Sequence, residues 1–81
     1  MVKDDIREMM DEIDELIEST LETAGKPVST YQLAKDTGLS WSTVNAHCYK
    51  MKSMGIVDGK FEVARIGQRK KLLWWVEKGN K

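Results

Sequence analysis

Apolar residues recur every three or four positions through the first 24 residues and predict one long amphipathic helix. They stand at Ile6, Met9, Met10, Ile13, Leu16, Ile17, Leu21 and Ala24. This spacing places them on a single stripe, and the following Gly25 and Pro27 are typical helix stop signals. A helix over residues 3–24 would be about 33 Å long. We expect that a domain of this size does not cover all of that length and that the surplus forms a dimer interface. The alternative is a monomer whose first helix simply covers its own core.

Capping signals predict two further helices. Ser29 and Gln32 have the spacing of a capping box, which opens a short helix at residues 30–37, and Gly38 suits its C-terminal turn. Ser40 is a favourable N-cap for a helix over residues 41–54. Two short helices joined by a glycine-containing turn form the helix-turn-helix unit.

Beyond Gly55 the apolar period changes from helical to strand-like. Asp58 and Gly59 predict a turn, residues 60–66 a strand, residues 67–69 a hairpin tip and residues 70–76 the return strand. Trp74 and Trp75 are neighbours on this strand, so one points into the core and the other to the surface or an interface.

The order of these elements predicts an α+β fold, a winged helix-turn-helix of three helices plus a C-terminal β-hairpin wing. A chain of 81 residues allows one domain, residues 1–81. Its predicted parts are an acidic amphipathic helix at 1–25, a helix-turn-helix at 28–54 and a wing hairpin at 56–76.

The net charge of zero conceals a strong asymmetry along the chain. Residues 1–24 contain nine acidic and two basic residues, whereas residues 25–81 contain four acidic and eleven basic residues. Such asymmetry favours a polyanionic partner for the basic part. The alternative is a solvated acidic helix beside an ordinary basic surface.

Several function classes are excluded or disfavoured by the sequence. No stretch approaches the about 18 apolar residues of a membrane span, and the acidic N-terminus is not typical of a secretory signal. A single cysteine forms no internal disulfide, so we expect a cytoplasmic location. His47 and Cys48 point about 100° apart on a helix, and nothing indicates a metal, a cofactor, a small-molecule ligand or an enzyme.

The predicted helix over residues 41–54 has one face free of acids and of large aliphatic side chains. That face carries Ser42, Ala46, Tyr49 and Ser53, flanked by Thr43, Asn45 and Lys50. Small hydrogen-bonding groups and a lysine suit entry into the major groove of DNA.

The stretch LSWSTVNAHCYKM at residues 39–51, followed by Gly55-Ile56-Val57, resembles the recognition-helix signature of winged helix-turn-helix transcription regulators. It is similar to repressors of the arsenical-resistance and multiple-antibiotic-resistance types, and to small stand-alone proteins of archaea and their viruses. The resemblance covers residues 26–76. It implies that Ser42, Thr43, Asn45 and Ala46 face bases or phosphates, and that the hairpin reaches phosphate or the minor groove. Ala46 stands where arginine is common in the family.

We therefore expect sequence-specific binding of double-stranded DNA by a nucleoid-associated transcriptional regulator, acting as a repressor and as a homodimer. The candidate DNA-binding residues are Ser40, Ser42, Thr43, Asn45, Ala46, Tyr49, Lys50, Arg65, Gln68, Arg69, Lys70 and Lys71. The candidate dimer-interface residues are Met9, Met10, Ile13, Ile17 and Trp75. The acidic helix is expected to face away from DNA, because its charge would repel phosphate.

Two other functions fit the same sequence. A winged-helix module of the transcription machinery would bind another protein through the hairpin and the tryptophan surface. A domain that binds RNA or single-stranded nucleic acid would stack bases on its tryptophan and tyrosine side chains.

Overall fold

Three helices pack against a three-stranded antiparallel sheet in the part of the chain that the computed structural model describes, residues 8–63 and 70–77. The elements in chain order are α1 (Glu12–Ala24), β1 (Val28–Ser29), α2 (Thr30–Thr37), α3 (Trp41–Ser53), β2 (Val57–Val63) and β3 (Lys70–Val76). β3 lies in the centre of the sheet, in the order β1-β3-β2. The domain is thus a small α+β fold, as the sequence predicts at that level.

Helix α1 begins at Glu12, so the prediction of a continuous helix through residues 3–24 is wrong at Met9, Met10 and Asp11, which are not helical, although Glu8 is. Asp11 is the N-cap. Its carboxylate accepts the Asp14 N–H at 2.9 Å, and the Asp14 carboxylate accepts the Asp11 N–H at 3.2 Å. This reciprocal pair satisfies two amides that a helix start leaves unpaired, which favours a start here. Residues 1–7 lie outside the described residues.

Helices α2 and α3 begin and end close to the predicted residues. Ser29 accepts the Gln32 N–H at 3.0 Å, although the Gln32 side chain donates to Asp36 at 2.9 Å instead of completing the predicted capping box. Gly38 ends α2 at a φ of 77°, in the left-handed region that glycine adopts without strain. Ser40 caps α3 by accepting the Thr43 N–H at 3.1 Å.

The predicted turn at Asp58 and Gly59 is wrong, because both residues lie within β2. Gly59 pairs with Trp74 across the strands. A Cβ atom at Gly59 would lie 2.5 Å from Cε3 of the Trp74 ring, so glycine is present here for close approach rather than for a turn. The bounds of β3 are as predicted, whereas the predicted hairpin tip lies outside the described residues.

Trp74 is the largest fully buried side chain and lies where the sheet meets the helices. Its indole N–H donates to the Thr30 hydroxyl at 2.8 Å. The core around it includes Ile17 from α1, Leu33 from α2 and Val44 from α3. Trp75 is half-buried, in agreement with the prediction that only one of the two tryptophans fills the core.

No helix among the described residues is both long enough and apolar enough to cross a membrane.

Candidate nucleic-acid interface

Helix α3 has a buried side and an exposed side. Val44, Cys48 and Met51 have no exposed surface. Ser42, Ala46 and Ser53 are exposed, and their spacing of four and seven residues places them on one side of the helix. We call these three residues the outer face. These three residues carry no charge and only small side chains. Tyr49, which the sequence also predicts on this face, is 45% exposed and directs its ring toward Trp74.

The N-terminal end of α3 is ordered by hydroxyl groups. The Ser40 hydroxyl donates to Oγ1 of Thr43 at 2.9 Å and lies 3.4 Å from the Ser42 hydroxyl. Ser40 and Ser42 are exposed, and Thr43 is half-buried. These three predicted DNA contacts therefore form one hydroxyl cluster beside the outer face.

Carboxylates at the start of α1 neutralise the positive charge on one flank of α3. Nζ of Lys50 lies 2.5 Å from Oδ2 of Asp14 and 3.6 Å from Oδ2 of Asp11. The hydrogen bond with Asp14 raises the pKa of Lys50 above its ordinary value. Two carboxylates already engage this ammonium group, so Lys50 is less available to a phosphate than an unpaired lysine; its phosphate contact stays a prediction.

His47 lies on the same flank. Its Nδ1 is 2.6 Å from Oδ1 of Asp14, whose side chain is fully buried. Hydrogen bonding to the Asp14 backbone lowers the pKa of Asp11. Asp11, Asp14 and His47 bring three possible metal-ligand atoms within 4.8 Å of one another. The Lys50 ammonium group already supplies a positive charge to this cluster, so the geometry is that of an ion-pair network.

The opposite flank of α3 faces the sheet. The Tyr49 ring meets the Trp74 ring edge-on, with centroids 5.2 Å apart and an interplanar angle of 87°. Oδ1 of Asn45 lies 3.4 Å from the Thr30 hydroxyl. One turn further along, Lys52 donates to Asp58 at 2.8 Å and lowers the pKa of that carboxyl. This flank is thereby held against β2 and β3.

A groove of about 520 Å³ opens between this flank, the start of α2 and the exposed end of the hairpin. We call it the aromatic groove. Its lining residues are Ser29, Thr30, Tyr31, Gln32, Trp41, Asn45, Tyr49, Phe61, Lys70, Lys71 and Leu72. Four of them are aromatic and two are lysines, and none of the described residues that line the groove carries a carboxylate.

The predicted base-reading residues are therefore divided between two surfaces. Ser42 and Ala46 lie on the outer face, whereas Asn45 and Tyr49 line the aromatic groove. Lys70 and Lys71 are exposed where β3 begins. Arg65, Gln68 and Arg69, the other predicted contacts of the wing, lie outside the described residues.

The predicted dimer-interface residues are also separated. Ile17 is fully buried and Met10 is 8% exposed, so both belong to the core of a single chain. This corrects their assignment to a dimer seam. Met9 is exposed and Ile13 is half-buried near the start of α1.

Trp75 lies near the other end of α1. It lines an open groove of about 500 Å³ with Leu21, Glu22, Gly25, Lys26, Pro27, Lys60 and Val76. The 13 residues of α1 span about 20 Å, so Met9 and Trp75 lie near opposite ends of this helix.

Cys48 is a buried apolar residue. It has no exposed surface and no disulfide partner. Burial raises the pKa of its thiol to about 12. A thiol in this state is not a nucleophile at neutral pH.

Sequence reasoning missed three residues that define this region. Tyr31 and Phe61 line the aromatic groove, and Asp14 organises the ion-pair network. The alternation of Phe61 with Val63 in the predicted strand was the signal for Phe61, since residues two apart in a strand share a face. Nothing in the sequence distinguishes Asp14 from the other acids of α1.

No protein-family model matches the chain, and a search among curated protein sequences finds no significant relative.

Proposed function

We propose that the chain is a winged helix-turn-helix domain that binds double-stranded DNA as a transcriptional regulator, with α3 in the major groove. The order of helices, the short β1 strand and the hairpin that follows α3 all agree with this fold. Repression of transcription, a homodimeric state and a cytoplasmic, nucleoid-associated location belong to the same proposal.

The observation that carries the proposal is the outer face of α3. Ser42, Ala46 and Ser53 are exposed and leave room for close approach of base edges. The nearest carboxylates on the α1 flank, those of Asp11 and Asp14, are paired with Lys50 and His47. Local neutralisation therefore reduces the repulsion that α1 would exert on phosphates near α3.

The hairpin supplies positive charge beside this face. Lys70 and Lys71 are exposed, and neither forms an ion pair among the described residues. Ammonium groups in such positions bind phosphates without reading sequence. In this arrangement α3 selects the site while the hairpin anchors the domain to the backbone.

The test is a fluorescence-anisotropy titration of a labelled random-sequence duplex at several salt concentrations. We expect binding that weakens steeply with salt, because bound lysines displace counterions from phosphates. Ser42→Glu places a negative charge on the outer face and is expected to raise the Kd at least about tenfold, since like charges brought together repel strongly.

Ser19→Glu is the matched control. Ser19 is exposed on α1 and accepts the same change in charge away from α3. We expect its Kd to remain within about twofold of wild type, because a remote surface charge is largely screened. No duplex binding at low salt, or equal losses in the two variants, would overturn the proposed function.

A further inference from the structure

The aromatic groove is lined by exposed aromatic side chains that do not fill the core. The chain contains six aromatic residues, and four of them line this groove. Tyr31 is 66% exposed, Phe61 62%, Trp41 54% and Tyr49 45%. A concentration of exposed aromatic side chains on one small domain marks an interaction surface.

The core does not account for these side chains. Trp74 fills the junction of sheet and helices, and only Tyr49 touches it by an edge-on ring contact. Phe61 pairs with Leu72 on the sheet face that carries Trp74, but beyond the covered part of that face. The hairpin therefore extends an apolar wall past the body of the domain and leaves it uncovered.

The electrostatics of the groove select an anionic occupant. Lys70 and Lys71 line it, and Nζ of Lys35 lies 5.7 Å from the centroid of the Tyr31 ring at its margin. Two carboxylates lie at this margin without lining the groove: Asp36 accepts a hydrogen bond from the Gln32 amide at 2.9 Å, and Glu62 is the cross-strand partner of Lys71. An occupant that combines negative charge with flat apolar faces is complementary to this lining.

Unpaired nucleotides have both properties. Every base offers a π face to an aromatic side chain, and every linkage offers a phosphate to a lysine. In a duplex the base faces are covered by their stacked neighbours, so paired DNA presents only edges and backbone. The aromatic groove thus matches a single strand better than a duplex, whereas the outer face of α3 matches duplex edges.

We infer that the aromatic groove binds a single-stranded segment of DNA, with bases stacked on Tyr31, Trp41 and Phe61 and phosphates on Lys70 and Lys71. Asn45 and Tyr49 lie between the groove and the outer face, so a strand that leaves a duplex seated on α3 would enter the groove directly. The assignment to DNA rests on the proposed function. The presence of a strand-binding groove rests on the groove residues alone.

The experiment compares three labelled probes in anisotropy titrations of the whole chain at low salt. They are a blunt random-sequence duplex, an oligodeoxythymidylate and an oligouridylate, the two single strands having about 12 nucleotides each, within the range that small single-strand-binding domains cover. We expect the oligodeoxythymidylate to bind at least as tightly as the oligouridylate. Tighter binding of the oligouridylate would overturn the assignment to DNA.

Variants then locate the strand. Tyr31→Ala and Phe61→Ala are each expected to weaken oligodeoxythymidylate binding about tenfold, the cost of losing one base–aromatic stack. Both are expected to leave the Kd for the blunt duplex within about twofold, whereas Ser42→Glu should weaken duplex binding more than strand binding. Both aromatic side chains are more than 60% exposed, so their truncation leaves the core intact.

Val63→Ala is the matched control for the hairpin. Val63 is 59% exposed on β2, two residues beyond Phe61, and does not line the groove. We expect wild-type affinity for the single strand, and circular dichroism melting checks that every variant is folded. Duplex binding without oligodeoxythymidylate binding, or equal losses in Val63→Ala and Phe61→Ala, would overturn the inference and leave the proposed function standing. Strand binding without duplex binding would overturn the proposed function alone.

Discussion

Asp14 and Lys50 form the closest charged contact between α1 and α3. Oδ2 of Asp14 lies 2.5 Å from Nζ of Lys50, and Oδ1 of the same carboxylate lies 2.6 Å from Nδ1 of His47. The Asp14 side chain is fully buried, while Lys50 and His47 are partly exposed. A buried carboxylate is stable only when it is paired, so this contact fixes how the acidic helix sits on the helix that we propose for DNA recognition.

Lys50→Ala is expected to lower stability more than DNA affinity, because Lys50 is engaged by Asp14. Loss of the ammonium group leaves the buried Asp14 carboxylate less well compensated, so the free energy of unfolding should fall. Urea denaturation measures this loss. In the anisotropy titration, the slope of log K against log salt should stay at the wild-type value.

Lys70→Ala is expected to weaken DNA binding and to leave stability nearly unchanged, the reverse of the result expected for Lys50→Ala. Lys70 is exposed at the start of β3, so its removal should leave stability within about 0.5 kcal/mol of wild type. The same substitution should weaken binding to all duplex sequences and reduce the magnitude of the salt slope by about one. If Lys50→Ala reduced the slope and Lys70→Ala did not, the assignment of the two lysines would be reversed.

Gly59→Ala is expected to destabilise the fold by about 1–3 kcal/mol, the usual cost of forcing an extra methyl group into a packed core. The new Cβ atom would lie 2.5 Å from Cε3 of Trp74 and 2.9 Å from the Leu73 carbonyl oxygen. Thermal melting followed by circular dichroism measures the loss. Lys60→Ala, at the next and exposed position of β2, should change the melting temperature little; equal effects would refute the close-packing explanation.

The Cys48 thiol should make stability fall in alkaline solution. Its pKa is about 12 in the folded protein, against 9.0 for a free thiol. Above pH 9 the unfolded chain releases this proton while the folded chain retains it, so the contribution is intact below pH 9 and declines as pH rises toward 12. The expected slope is about 1.4 kcal/mol per pH unit for this group.

Urea denaturation between neutral pH and pH 11 measures that decline, with Cys48→Ala as the reference. In Cys48→Ala the free energy of unfolding should fall less steeply with pH above pH 9 than in wild type. Wild type and Cys48→Ala curves that run parallel above pH 9 would show that the thiol does not titrate as its burial requires.

A homodimer remains a prediction. Because Met9 and Trp75 lie near opposite ends of α1, the prediction can be tested for each residue separately. Trp75 lies among Leu21, Pro27 and Val76 in an open groove, so we place the interface there. Sedimentation equilibrium should give twice the 9.3 kDa of one chain. Trp75→Ser should give one chain mass, and Met9→Ser should remain dimeric; a monomeric wild type at high micromolar concentration would refute the prediction.

Local signals were sufficient to predict α2, α3 and β3. Ser29, Gly38 and Ser40 each act on backbone groups within a few residues, so the sequence around each of them is enough to predict its effect. The start of α1 was missed because the apolar stripe continues through Met10, while the Asp11–Asp14 cap interrupts the helix. The apolar spacing favours a helix that continues through Met10, whereas the hydrogen bonds of the cap favour a start at Glu12. The hydrogen bonds determine where α1 begins.

The candidate site was less predictable because it depends on contacts between distant residues. Gly59 has the sequence context of a turn, but its role is set by Trp74, 15 residues later. Lys50 has the pattern of a phosphate contact, but a carboxylate 36 residues earlier engages it. Such pairings depend on how elements pack, and a single sequence does not specify which of several equivalent acids will be buried.

The two-residue strand β1 also has a consequence for the route by which the chain folds. Val28 pairs with Trp74, and Ser29 pairs with Leu73. Residues so far apart in the chain meet only after a large loop has closed, whereas α2, α3 and the β2–β3 pair form from nearby residues. The β1–β3 pairing is therefore a long-range contact between the start of the domain and its last strand, and we expect the amides of this two-residue edge strand to exchange hydrogen faster than those of the β2–β3 pair.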